Sequence, residues 1–214
     1  MQYSNVVPGR FVSRPNRFLA QVETADGVQT CHVKNTGRCA ELLLPGAPVW
    51  LQRFGADAKR KTKFDLIAVQ KGALLLNIDS QAPNAAAREF LASGGLGWIP
   101  SVLRPEYTWG DSRFDFYLEH GGRRCLAEVK GVTLEEDGTA LFPDAPTLRG
   151  IKHLEGLSRA AAQGFACCVL FVVQFSPADA LRAARDAGVR VLAYDCAVTP
   201  ESMVLRAPVP VTGL

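Results

Sequence analysis

Residues 10–80 read as short strands, with apolar and polar positions alternating over runs that begin at RFLAQVET. RFLAQVET (17–24) and VQTCHVK (28–34) flank Ala25-Asp26-Gly27, a hairpin-type turn. APVWLQRF, KFDLIAVQ and ALLLNID follow, with Pro45-Gly46 and Lys71-Gly72 as breaks between them. RCAELLLP (38–45) predicts a short helix between strands. Several short strands in so little chain predict a small β-barrel, either OB-like or of another small-barrel type.

From residue 81 the texture changes. PNAAAREFLASGG predicts a helix with Asn84 as its N-cap and Gly94-Gly95 as its stop. SVLRPEYTW, SRFDFYLE and RRCLAEVKGVTL predict strands, the last two joined by a turn at His120-Gly121-Gly122. TLRGIKHLEGLSRAAAQG predicts a helix capped by Thr147 and ended by Gly164. FACCVLFVVQ is a continuous apolar run, as in a strand buried on both faces. SPADALRAARDAG predicts a helix with Pro177 in its first turn and Gly188 at its end, and VRVLAYDC a closing strand. The expectation is a two-domain chain, with a barrel over 1–80 and a mixed α/β sheet flanked by helices over 81–214.

Composition adds compartment and charge. The 214 residues are 48% hydrophobic and 21% charged, an ordinary globular balance. No apolar run reaches the roughly 18–20 residues of a membrane span, and the six cysteines form no CxxC pair. A reducing, cytoplasmic protein without a zinc ribbon or a membrane is expected. The net charge of +3 is unevenly spread: residues 1–80 carry 11 Lys+Arg against 6 Asp+Glu. The basic front half suits a polyanion, and the acid-leaning remainder suits a site that gathers carboxylates around a cation.

Such a site is visible as Asp115, twelve residues, then Glu128-Val129-Lys130. Strand alternation sets Phe114, Phe116 and Leu118 on one face and Asp115 on the other. On the next strand Glu128 and Lys130 share a face with Leu126. Two carboxylates and an ammonium would then converge on Mg²⁺ (or Mn²⁺), a hard cation that leaves positions for a phosphate oxygen and a water. Lys130 would orient or deprotonate that water. Glu89 is a candidate third acidic ligand. A surface Glu-Lys pair would give the same string, but the apolar neighbours Leu126, Ala127 and Val129 favour burial.

Candidate DNA contacts are Arg149, Lys152 and His153, at one helical face by spacing, and the basic run Lys59, Arg60, Lys61 and Lys63. Arg14, Arg17, Lys34, Asn35 and Arg38 join them if the barrel brings them together. No nucleophile elbow, Walker or dinucleotide glycine pattern is present.

The strings RFLAQVET, CHVKNTGRCAELLLPGAPVWL, KRKTKFDL, SRFDFYLE, EVKGVTL, FPDAPTLRGIKHLEGL and FVVQ closely resemble the sugar fermentation stimulation protein A family, in order and over nearly the whole chain. The resemblance implies an N-terminal OB-like barrel joined to a PD-(D/E)XK nuclease-like domain, whose motif falls on Asp115, Glu128 and Lys130. It also implies DNA binding with little sequence preference and a link to maltose-metabolism genes. It leaves open a non-catalytic regulator that keeps the nuclease fold as a scaffold, and a preference for RNA. One departure is the segment after Gln174, shorter here than is usual in the family.

Overall fold

The computed structural model describes residues 1–35, 37–55, 57–72, 74–136, 139–141, 148–172 and 188–208. Thr147 and the segment 176–187, expected as a helix cap and a helix, lie outside them, as does the shortened stretch after Gln174. The described chain forms two compact units, Met1–Ala82 with Ala197–Val204, and Pro83–Cys196 with Leu205–Leu214. The sequence reading had placed all of 81–214 in the second.

The first unit is built on β1 (Val6–Asn16), β2 (Leu19–Thr24), β3 (Gly27–His32), β4 (Pro48–Arg53), β5 (Phe64–Lys71) and β6 (Leu74–Asn77). They run in the order β3-β2-β1-β4-β5-β6, and β3 also pairs with β5, so β1 to β5 close into a barrel. β1 is an element that alternation did not reveal, because Pro8 and Gly9 are poor strand residues. Gly9 is required there: a Cβ would lie 2.5 Å from Val22 Cγ1. The expected helix at 38–45 is a turn, in which Leu42 N and Leu43 N both bond Cys39 O. Cys39 holds φ 47°, which breaks the helical run, while Leu42 and Leu43 still point into the core. That core includes Phe11, Val22, Cys31, Val49, Leu51, Phe64 and Leu66.

Charge is also buried in the barrel. Asp65 is fully buried and Asp79 nearly so. Lys34 Nζ lies 2.6 Å from Asp79 Oδ2 and 3.3 Å from Asp65 Oδ2. Arg60 pairs with Asp65 from the far side, and Tyr3 Oη donates to Asp79 Oδ2 at 3.1 Å. Two carboxylates out of water are held by one shared ammonium, one guanidinium and one phenol.

Among the described residues the second unit is built on a six-stranded sheet and two helices, with the tip of the β13–β14 hairpin, Ala197–Val204, falling in the first unit. Its strands are β7 (Val102–Trp109), β8 (Ser112–His120), β9 (Arg123–Gly131), β12 (Ala166–Val172), β13 (Val189–Thr199) and β14 (Ser202–Pro208). A separate hairpin pairs β10 (Leu134–Glu136) with β11 (Thr139–Leu141). The sheet order is β14-β13-β12-β9-β8-β7. β7, β8 and β9 form an antiparallel meander, and β12 lies parallel to both β9 and β13. His120↔Arg123 closes the β8–β9 hairpin over Gly121 and Gly122, both at positive φ as a two-residue turn requires. β12 reads as one apolar run because it is a central strand covered on both faces.

The helices are α1 (Ala82–Ala92) and α2 (Leu148–Ala162). α1 is entered through Asp79, whose Oδ1 accepts Gln81 N and whose carbonyl accepts Ala82 N, so the expected cap Asn84 sits inside the first turn. α2 packs Leu154, Leu157 and Ala160 onto Leu126, Cys167 and Val169 of the sheet. A Cβ at Gly156 would meet Phe114 Cζ and Ser112 Oγ at 3.0 Å.

Removing the shared cation of the barrel leaves two buried carboxylates poorly compensated. Lys34→Met should lower unfolding free energy by about 3 kcal/mol, read from the denaturant midpoint. A loss below about 0.5 kcal/mol, the range of a surface change, would contradict the network's role.

Candidate metal centre and nucleic-acid surface

The β8–β9 ladder runs from His120↔Arg123 to Phe116↔Ala127 and stops there. Next to it, Val129 N donates 2.7 Å to Asp115 Oδ2, a carboxylate in place of a strand carbonyl. The strand also changes face at this point. Phe114 and Tyr117 lie in one apolar cluster, and Tyr107, the partner of Phe114, stacks on Tyr117 at 4.3 Å. Residues three apart in a regular strand would face opposite ways. β8 therefore changes face between Phe114 and Tyr117 while its register with β7 stays unbroken, and the expected Phe114–Phe116–Leu118 face is corrected. Asp115 Oδ1 accepts 2.8 Å from Asn84 Nδ2, which α1 presents from its first turn. Gly131 allows this closeness, since a Cβ there would lie 2.5 Å from Pro83 Cγ.

Glu128 is 2% exposed, on the same face of β9 as Leu126. Its Oε1 accepts Lys130 Nζ at 2.5 Å and His153 Nδ1 of α2 at 2.5 Å. Its Oε2 is buried and has no hydrogen-bond partner. Burial raises the Glu128 pKa, but the bonds and charges of His153 and Lys130 outweigh it and hold the group below its ordinary value. Asp115 moves the other way. Burial, then the negative charge of Glu128, lift it above the usual value against the opposing bonds from Val129 N and Asn84. The two carboxylates thus sense each other.

This donor set suits a hard divalent cation. Each oxygen of Asp115 has one bond and room for another, and Glu128 Oε2 is an unsatisfied buried acceptor. No group of three or more His, Cys, Asp or Glu side chains able to hold a metal occurs among the described residues. Glu89 accordingly does not join as a third ligand. It is exposed on α1, five residues past Asn84 and so about 140° round the helix from it.

Of the three cations expected on one face of α2, Lys152 and His153 separate. His153 is buried against Glu128, with its ring at 6.1 Å from that of Phe114. Lys152 is exposed and pairs with Asp111 at 3.3 Å. Arg149 lies in the first turn, its side chain outside the described residues. His153 therefore does not share a surface with Lys152, because adjacent helical residues diverge by about 100°.

On the barrel, Arg14 donates to the carbonyls of Arg17, Asn35, Gly37 and Arg38 at 2.6–2.8 Å, and Asn35 Oδ1 accepts Gly37 N. Arg14 and Asn35 shape a loop, and Lys34 serves the buried carboxylates, so none of the three is placed as a free phosphate contact. Arg60 is spent on Asp65 and lies 3.8 Å over the Phe54 ring. Arg17, Arg38, Lys59, Lys61 and Lys63 are exposed. Lys63 and Arg53, which the sequence reading missed, line an open concavity of about 430 Å³ with Asn5, Val7 and Phe54. Asn84 was also missed as a contact of Asp115. Its place in a first helical turn gave no hint of the partner.

Two family models match the chain, the SfsA N-terminal OB domain over residues 12–78 and the sugar fermentation stimulation protein RE domain over 81–202. The chain belongs to the sugar fermentation stimulation protein family. A homologue from Desulfitobacterium hafniense is 51% identical over 218 residues, covering 95% of this chain and 94% of that protein. One from Clostridium beijerinckii is 44% identical over 220 residues, covering 96% and 97%. The structure of Pyrococcus furiosus SfsA in complex with Ca²⁺ aligns at a TM-score of 0.84 with 24% identity, over 97% of this chain and 96% of that one. The family fold is thus an OB barrel followed by a mixed sheet flanked by helices, as the sequence reading expected.

The field of Glu128 on Asp115 can be measured in metal-free protein. Carboxyl-carbon NMR should show Asp115 titrating above the ordinary Asp value, and Glu128→Gln should lower it. The sign follows because removing a like charge favours the ionised form. An unchanged Asp115 titration in Glu128→Gln would show the carboxylates too far apart to share a cation.

Proposed function

We propose that this protein binds DNA and cleaves it at a Mg²⁺- or Mn²⁺-dependent phosphodiester site formed by Asp115, Glu128 and Lys130. The observation that carries the reading is the convergence of Asp115 on β8 with Glu128 and Lys130 on β9, where the buried Glu128 Oε2 has no hydrogen-bond partner. An isolated buried acceptor is costly, and a bound cation would satisfy it. The Ca²⁺ complex of the archaeal relative adds support, since Ca²⁺ and Mg²⁺ both select oxygen ligands.

When bound, a divalent cation would polarise a phosphoryl oxygen and lower the pKa of a coordinated water. The chain's own groups do the rest. Val129 N–H and Asn84 fix the orientation of Asp115. Lys130 holds Glu128 Oε1, and its ammonium neutralises charge that develops on the phosphate. Duplex affinity with little sequence preference would come from Arg17, Arg38 and the Lys59, Lys61 and Lys63 loop, through phosphate contacts. A cytoplasmic setting fits the six cysteines, none of them in a disulfide, and the lack, among the described residues, of any helix long and apolar enough to cross a membrane.

The second reading is a non-catalytic DNA-binding regulator of sugar genes, including those of maltose metabolism. It draws on the lack, among the described residues, of a group of three or more side chains able to hold a metal. One assay separates the two. Plasmid, single-stranded and branched DNA are incubated with the protein in Mg²⁺, Mn²⁺ or EDTA, beside Asp115→Ala. The expected outcome is metal-dependent cleavage that falls at least about 100-fold in the variant, with DNA retention unchanged. Cleavage that survives in Asp115→Ala removes the site assignment. DNA binding without cleavage of any substrate selects the regulator.

A further inference from the structure

The way Glu128 is held separates its two oxygens. Oε1 takes two bonds of 2.5 Å, from Lys130 on the same strand and from His153 across the interface with α2. Oε2 takes none. Lys130 alone would not fix the carboxylate plane, because one donor leaves the group free to swing about the bond. The second donor comes from a rigid element. His153 is 8% exposed, packs its ring against Phe114, and is seated one turn before Gly156, where a Cβ would come within 3.0 Å of β8 side chains. The absence of a Cβ at Gly156 brings the imidazole within reach of β9.

We propose that His153 is a positioning residue for the cation site, its Nδ1–H holding Glu128 Oε1 so that Oε2 is left to take a divalent cation. The inference rests on the reading of Asp115 and Glu128 as cation ligands. It gives α2 a task at the metal centre rather than at DNA. Hydrogen bonds that orient a metal-binding carboxylate typically change cation affinity 10–100-fold when lost. A histidine that only filled the core would leave affinity for the cation alone untouched once the fold was intact.

The test is Mn²⁺ titration of the full chain without DNA, with free Mn²⁺ followed by electron paramagnetic resonance and metal-free melting recorded for each variant. His153→Phe should weaken Mn²⁺ binding about 10–100-fold. His153→Asn places an amide donor near the position of Nδ1 and should stay within a few-fold of the unmodified protein. His153→Gln places its donor near the position of Nε2 and should resemble His153→Phe. The Asn and Gln pair decides the matter even if the Phe variant fails to fold. Equal affinity in Asn and Gln variants, or unaltered affinity in a folded His153→Phe, overturns the inference and leaves the cation site standing. Mn²⁺ binding that ignores Asp115→Ala brings down the cation site, and this inference with it.

Discussion

A carboxylate buried in the middle of a sheet must be compensated, and the way Glu128 is compensated organises the second unit. Moving an ionised group out of water costs several kcal/mol even after relaxation. Lys130 and His153 offset much of that cost at Oε1, while Oε2 is left unsatisfied. Supplying the second donor requires α2 to lie close on the sheet, which in turn requires Gly156. Bringing a second carboxylate near requires β8 to leave its ladder, which it does where Asp115 takes Val129 N. A fold optimised for stability alone would have no use for this arrangement. The natural inference is that local stability is given up for a ligand.

The barrel also buries charge. Asp65 and Asp79 are as buried as Glu128, with Lys34, Arg60, His32 and Tyr3 around them. Asp65 Oδ2, like Glu128 Oε2, has no hydrogen bond, although the Lys34 ammonium lies 3.3 Å away. Arg14 is likewise consumed by four carbonyls. Arg14, Lys34 and Arg60 therefore serve architecture, while Arg10, Arg17, Arg38, Arg53, Lys59, Lys61 and Lys63 are exposed. A count of basic residues overstates the surface available to a polyanion.

The legible part of the chain was the part with periodicity. Alternation revealed β2 to β5, the glycine pair after His120 revealed the β8–β9 hairpin, and the continuous apolar run revealed β12. β1 escaped because Pro8 and Gly9 mask its pattern, although Gly9 is there for a steric reason. RCAELLLP looked helical because its leucines are core-forming, but Cys39 adopts a left-handed conformation that ends any helix. At the site, the D-x12-ExK spacing was readable, but the role of His153 was not. Spacing placed it beside Lys152 on a common face, whereas helix phase sends one to solvent and the other to Glu128. Asn84 was invisible for the same reason: its partner is 31 residues away in sequence. Long-range pairing of polar groups leaves no periodic trace.

The central claim is that the free oxygen of Glu128 and the carboxylate of Asp115 share one cation. The most direct measurement is anomalous diffraction from a crystal soaked in Mn²⁺. The account predicts one strong peak within roughly 2.0–2.6 Å of an oxygen of each residue, with waters completing the shell. A peak elsewhere with none here, or carboxyl groups turned to opposite faces of the sheet, would contradict it.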